Sequence, residues 1–74
     1  MCGIVGITGD PQVAANLLEG LRRLEYRGYD SSGIAVQQPG GFSSIKREGK
    51  IQQLADVVDL AVMTGTCGIA HTRW

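Results

Sequence analysis

The stretch from Asp10 to Gly28 constrains this chain more than any other. Ala14, Leu17, Leu18, Leu21 and Leu24 recur at helical spacing, while Glu19, Arg22, Arg23 and Glu25 fall mostly on the other side. Signals for a start and a stop bracket the run. The Asp10 carboxylate can accept free N–H groups of a first turn, and Pro11 suits the first helical position. Gly28 suits a left-handed cap at the far end. The spacing therefore predicts an amphipathic helix that ends at Gly28.

The remaining segments arrange themselves around it. Residues 2–8 are apolar and rich in β-branched side chains, which predicts a short buried strand. Ser32 to Gln38, with Ile34-Ala35-Val36 at its centre, reads as a second strand. Pro39-Gly40-Gly41 is a strong turn, from which Phe42 to Arg47 returns as a paired strand. Gly49 breaks the chain again. Ile51, Leu54, Ala55, Val58 and Val62 then repeat at helical spacing, which predicts a second amphipathic helix closed by Thr64-Gly65-Thr66. Cys67 to Thr72 reads as the last strand. The expected order is β-α-β-β-α-β in an α+β chain without repeats, low-complexity tracts or linkers. Residues 1–74 are thus one domain or part of one. The same order also matches the ferredoxin-like split βαβ pattern of many small binding modules. Fold class alone does not identify a function.

Composition narrows the classes. Seven basic residues offset seven acidic ones, and only Arg22-Arg23 and Lys46-Arg47 are adjacent basic pairs, so no nucleic-acid partner is expected. No apolar run approaches the ~20 residues of a membrane span, and no basic segment leads into an apolar signal sequence. A cytoplasmic protein is expected. Two cysteines without a secretion signal suggest free thiols. With His71 the sole histidine, no Cys/His cluster has metal-ligand spacing, and no cofactor is implied. At 74 residues the chain can bury only a modest core, and it has no metal or disulfide staple. It also ends at His71-Thr72-Arg73-Trp74 without a polar tail or turn signal. A fragment of a larger domain is expected.

Cys2 carries the most specific chemistry. Methionine is commonly trimmed before a small residue, and trimming here leaves a thiol and a free α-amine on one carbon. The reference pKa of an α-amine is ~7.7–8.0 and that of a thiol ~8.5. Near neutral pH the amine is partly unprotonated and can act as general base, directly or through one water. Retaining Met1 would turn that nitrogen into an amide and remove the base, a loss of roughly 10²–10⁴ in rate. The plain alternative is that Cys2 is a small buried hydrophobe. Gly3 favours the chemical reading, because it lets other backbone approach the cysteine.

Cys2-Gly3-Ile4-Val5-Gly6 resembles the mature N-terminus of the class II (N-terminal nucleophile) glutamine amidotransferases. Within that family, Arg22-Arg23-Leu24-Glu25-Tyr26-Arg27-Gly28-Tyr29-Asp30-Ser31-Ser32-Gly33 and Gly68-Ile69-Ala70-His71-Thr72-Arg73-Trp74 resemble the members that pass ammonia to fructose 6-phosphate. The amidophosphoribosyltransferases share the opening but usually have His-Arg-Gly-Gln-Asp where this chain has Tyr26-Arg27-Gly28-Tyr29-Asp30. Asparagine synthetases usually have Arg-Gly-Pro-Asp there. Three motifs in order over the whole chain make the resemblance specific.

The resemblance implies the N-terminal part of a four-layer αββα N-terminal-nucleophile sandwich. It implies attack by Cys2 on the side-chain amide of glutamine, a glutamyl thioester, and release of glutamate and ammonia. The products of the whole enzyme would be glucosamine 6-phosphate and glutamate, and the enzyme would be a homo-oligomer. Arg73 corresponds to the family's glutamine-binding arginine, and a guanidinium can grip an α-carboxylate through two parallel hydrogen bonds. Trp74 would close over the substrate or serve as a packing anchor. Arg27 and Gly28 would shape the site, although an arginine at a helix end also suits the macrodipole. His71 is read as structural rather than as the base, Cys67 as a buried apolar filler, and Asp30 as an anchor for N–H groups in its turn. The oxyanion donors of the family, an asparagine side chain and a glycine N–H, lie beyond residue 74, as does the sugar isomerase domain. This segment alone is therefore expected to be inactive. Two other readings remain open: another class II amidotransferase, of amidophosphoribosyltransferase type, or a non-catalytic small binding module left from a truncated gene.

Overall fold

Four segments with alternating side chains form strands β1 (Gly3–Thr8), β2 (Ser31–Gln38), β3 (Gly41–Glu48) and β4 (Cys67–Arg73). The two apolar stripes form helices α1 (Val13–Leu24) and α2 (Ile51–Val57), so the β-α-β-β-α-β order is the expected one. This computed structural model describes residues 2–25, 30–58 and 63–73. The strands make one sheet in the order β1-β4-β2-β3, and every neighbouring pair is antiparallel. That order removes the ferredoxin-like alternative, in which the first and third strands occupy the centre of the sheet. Here they are its two edges, and β4 lies between β1 and β2.

The sheet has one covered face and one open face. Val13, Ala14, Leu17, Leu18 and Leu21 of α1 are buried together with Ile51 and Leu54 of α2, Met63, and Ile34, Val36 and Ala70 of the central strands. Val5 and Ile7 of β1 and Ile45 of β3 pack at the margin of this core. Alternate residues of the same strands point the other way. Ile4 is 79% exposed, Phe42 76% and Ile69 57%. The expected buried strand at residues 2–8 is thus an edge strand with one side half-buried and the other bare. Its apolar run reflects side chains on both faces, of which the helices cover only one.

Two helix boundaries also differ from expectation, each for a local reason. Asp10 Oδ1 accepts the Gln12 N–H at 2.8 Å, and Oδ2 accepts the Asn16 side-chain amide. That turn carries the chain over Pro11, so Gln12 is the N-cap and Pro11 precedes the helix. The left-handed cap expected at Gly28 lies outside the described residues. Helix α2 ends early, at Val57, where the Val58 N–H bonds Leu54 O at 3.1 Å and Val58 itself turns extended (ψ 123°). Two consecutive β-branched residues are poor helix continuers. Val58 still packs against the core from its extended position, so the helical spacing reported burial rather than helix length. Val62 lies outside the described residues. Chain re-entry into the sheet depends on a close approach at Gly65, where a Cβ would lie 1.8 Å from the Gln37 carbonyl oxygen.

Cys67 is the clearest correction. It begins β4 on the open face and is half-exposed rather than buried, beside Gln37 and Thr66 in a surface cleft. Strand alternation explains it: Gly68, Ala70 and Thr72 take the covered face, which leaves Cys67, Ile69, His71 and Arg73 on the other. Both thiols are free. Cys67 pairs with Thr8 at one end of β1 while Cys2 lies beyond Gly3 at the other, about 17–20 Å away at strand rise, so no disulfide can join them.

Candidate active site

The end of the sheet that holds Cys2 is built by one long pairing. Strands β1 and β4 run Thr8↔Cys67 through Gly3↔Thr72. Cys2 lies just outside β1, and the same register carried one residue further would set it opposite Arg73. Opposed residues of an antiparallel pair project to the same face, with Cβ atoms about 4.5–5.5 Å apart. For Cys2 and Arg73 this is the open face, and both are exposed. Segments from opposite ends of the chain are thereby brought to one end of the sheet.

Hydrogen bonds fix the backbone beside Cys2 and at Arg73. The Gly3 N–H donates to Thr72 Oγ1 at 3.1 Å. A Cβ on Gly3 would sit 2.8 Å from Leu24 Cδ1 and 3.3 Å from that same hydroxyl, so the last turn of α1 packs directly under the residue after Cys2. The expected benefit of Gly3 was backbone approach; the neighbours it admits are the side chains of Leu24 and Thr72. On the other side, Arg73 O accepts the Asp30 N–H at 2.6 Å, and Asp30 O accepts the Gly49 N–H at 2.9 Å. Asp30 therefore anchors this corner through its main chain. The arginine backbone is fixed while its guanidinium stays in solvent.

Two surface clefts adjoin Arg73. One of about 550 Å³ is lined by Asp30, Ser31, Glu48, Gly49 and Arg73, and another of about 290 Å³ includes Lys46, Arg47 and His71. The more apolar cleft, about 360 Å³ beside Pro11 and Met63, lies at the other end of the sheet. His71 faces away from Cys2. A Cβ on Gly33 would lie 2.6 Å from His71 Nε2 and 2.8 Å from Lys46 Cγ, so the ring lies across β2 toward β3. No Cys–His pair forms in this arrangement. Among the described residues, no group of three or more His, Cys, Asp or Glu side chains could hold a metal ion. Arg27, Gly28 and Trp74 lie outside the described residues.

Two contributors escaped sequence reasoning. Thr72 looks like an ordinary strand threonine, and only the register reveals that its hydroxyl reaches the peptide next to Cys2. Leu24 is legible as the end of an apolar stripe, but its contact with Gly3 depends on how α1 crosses the sheet.

No family model matches the chain. Similarity to individual proteins is extensive. Over 75 residues it is 59% identical to the glutamine–fructose-6-phosphate aminotransferase [isomerizing] of Vibrio vulnificus, a match that covers all of this chain and 12% of that protein. The enzymes of the same name from Idiomarina loihiensis and Thermus thermophilus are each 55% identical, again over the whole chain and 12% of their own length. This chain is homologous to the N-terminal region of glutamine–fructose-6-phosphate aminotransferases. It spans about an eighth of the length of the curated relatives it matches. The similarity runs through both strands of the corner just described. Glutamine–fructose-6-phosphate aminotransferases thus share with this chain the segment that carries Cys2 and Arg73.

Proposed function

We propose that this chain is the N-terminal part of the glutaminase domain of a glutamine–fructose-6-phosphate aminotransferase, with Cys2 as nucleophile. The observation that supports the reading is the β1–β4 register, which runs to Gly3↔Thr72 and, if continued by one residue, would bring Cys2 and Arg73 to the same open face. With Met1 removed, the α-amine of Cys2 takes the thiol proton, and Sγ attacks the side-chain carbonyl carbon of glutamine. The carbon–nitrogen bond then breaks as the α-ammonium returns a proton, and ammonia leaves. Water hydrolyses the thioester to glutamate and frees the thiol.

Arg73 binds the substrate α-carboxylate by a two-point grip, and its exposure over a polar cleft suits an incoming anion. In this reading Trp74 also serves glutamine binding, and Arg27 and Gly28 shape the site. In the whole protein the ammonia converts fructose 6-phosphate to glucosamine 6-phosphate. The bare face with Ile4, Ile69 and Phe42 suits the inner side of an αββα sandwich, with a second sheet from later in the chain packed upon it. Oxyanion donors, the isomerase domain and homo-oligomer contacts also belong to that remainder. The protein is cytoplasmic in this reading and needs neither nucleic acid nor membrane. No helix among the described residues is long and apolar enough to cross a bilayer.

The test uses the full-length protein. Mass spectrometry should find Met1 removed, and Cys2→Ala should abolish release of glutamate from glutamine. Glutaminase activity surviving in Cys2→Ala would overturn the assignment.

A further inference from the structure

The nucleophile of the proposed reaction sits at the start of an edge strand, where fraying is easiest. Something must hold it. Among the described strands β1 has one neighbour, β4, and at the end next to Cys2 a side-chain hydroxyl of β4 contributes to the anchoring. The Gly3 N–H donates to the hydroxyl of Thr72, at 3.1 Å. Thr72 lies on a central strand, paired with β1 on one side and β2 on the other, and is 3% exposed.

The geometry points to Thr72 as the positioning residue for the Cys2 nucleophile, a role that rests on the function proposed above. The physical reason is the planarity of the Cys2–Gly3 peptide. Its N–H, carbonyl and both flanking Cα atoms form one rigid unit, so a hydrogen bond to the N–H fixes the Cα of Cys2. Rotations about the Cys2 Cα–C and Cα–Cβ bonds then remain to aim the α-amine and the thiol. The side chain of Leu24 closes the same peptide from beneath, within 2.8 Å of where a Gly3 Cβ would stand. Thr72 and Arg73 are adjacent on β4 and point to opposite faces. One strand thereby sets the nucleophile from below through Thr72 and places the guanidinium above through Arg73.

A second observation concerns a neighbouring hydroxyl. Ser32 is directly opposite Thr72 on β2, on the same covered face, and its buried Oγ has no hydrogen-bond partner. The two hydroxyls are not hydrogen-bonded to each other in this structure. Buried hydroxyls are costly unless paired. Their side-by-side placement next to the nucleophile's peptide fits a role in setting orientation rather than in filling the core.

The experiment measures glutamate release by full-length protein. Thr72→Val keeps the shape and removes the acceptor; Thr72→Ser keeps the acceptor. Loss of one such bond at a reacting centre is expected to lower kcat about tenfold in Thr72→Val. KM for glutamine should be nearly unchanged, and Thr72→Ser should stay within about twofold of the parent in kcat. A purely structural role would move Tm and leave kcat alone. Unchanged kcat in Thr72→Val, or a Thr72→Ser variant as slow as Thr72→Val, overturns the assignment. Should Thr72→Val not fold, Thr72→Cys, whose sulfur is a weak acceptor, is read in its place. If neither folds, Thr72 is a folding residue and the positioning role is rejected. Cys2→Ala is run alongside. An inactive Cys2→Ala beside an unaffected Thr72→Val rejects only the role of Thr72, whereas an active Cys2→Ala rejects the nucleophile and with it this role.

Discussion

Arg73 separates main-chain fixation from side-chain freedom more cleanly than any other residue here. Its carbonyl is tied to Asp30 and its strand is paired on both sides, yet its side chain is exposed. A substitution can therefore change the head group without loosening the strand. Arg73→Lys keeps one positive charge but gives up the planar fork that matches a carboxylate. Losing one charge-assisted bond of the pair should raise KM for glutamine about 10–100-fold, with a smaller change in kcat. Steady-state glutaminase kinetics on the full-length protein check this. An unchanged KM would remove Arg73 from the substrate grip. At this scale the sequence was informative about residues whose chemistry depends on position in the chain, as Cys2 does through its α-amine. Thr72 and Cys67 escaped because their surroundings depend on which face of β4 they occupy. Strand alternation predicts that two neighbours differ, but not which of them faces the helices.

Elements were legible where a periodic stripe and a turn signal agreed, and displaced where local hydrogen bonds competed. Helix α1 shows both. Its buried stripe is the expected one, while its start shifts because Asp10 bonds Gln12 and Asn16. Those bonds hold the Asp10 carboxyl below its ordinary pKa, first through the Asn16 side chain and then through the Gln12 N–H. A carboxylate whose pKa is lower folded than unfolded contributes stability that is present above the unfolded value, about 3.9, and is lost as pH falls through the folded one. The start of α1 should accordingly weaken in acid. Asp10→Asn removes the titrating group, so the fall in Tm below about pH 4 should be shallower than in the parent protein. Parallel curves for the two proteins would show that Asp10 does not contribute to acid sensitivity. Strand order was not legible at all. The β-α-β-β-α-β string fits several sheets, and only long-range pairing puts the last strand beside the first.

For the whole molecule, the decisive asymmetry is between the two faces of the sheet. The Cα radius of gyration is 11.2 Å, close to the ~11 Å expected of a compact domain this long. The buried core lies on the helical side. Opposite it, Ile4, Ile69 and Phe42 are exposed on a sheet whose β1 and β3 edges have no further strand among the described residues. A monomeric protein seldom leaves an apolar face and open edges together. In the αββα reading, the remainder of the protein covers that face. The isolated 74-residue chain, deprived of that cover, should self-associate at micromolar concentration, and sedimentation across a concentration series would detect it. Replacing Ile4, Phe42 and Ile69 together by Thr should weaken the association, because it removes the apolar area while keeping side chains that suit strands. A chain that instead sediments as a monomer and melts cooperatively at every concentration would favour a self-sufficient small module, since its open face would then need no partner.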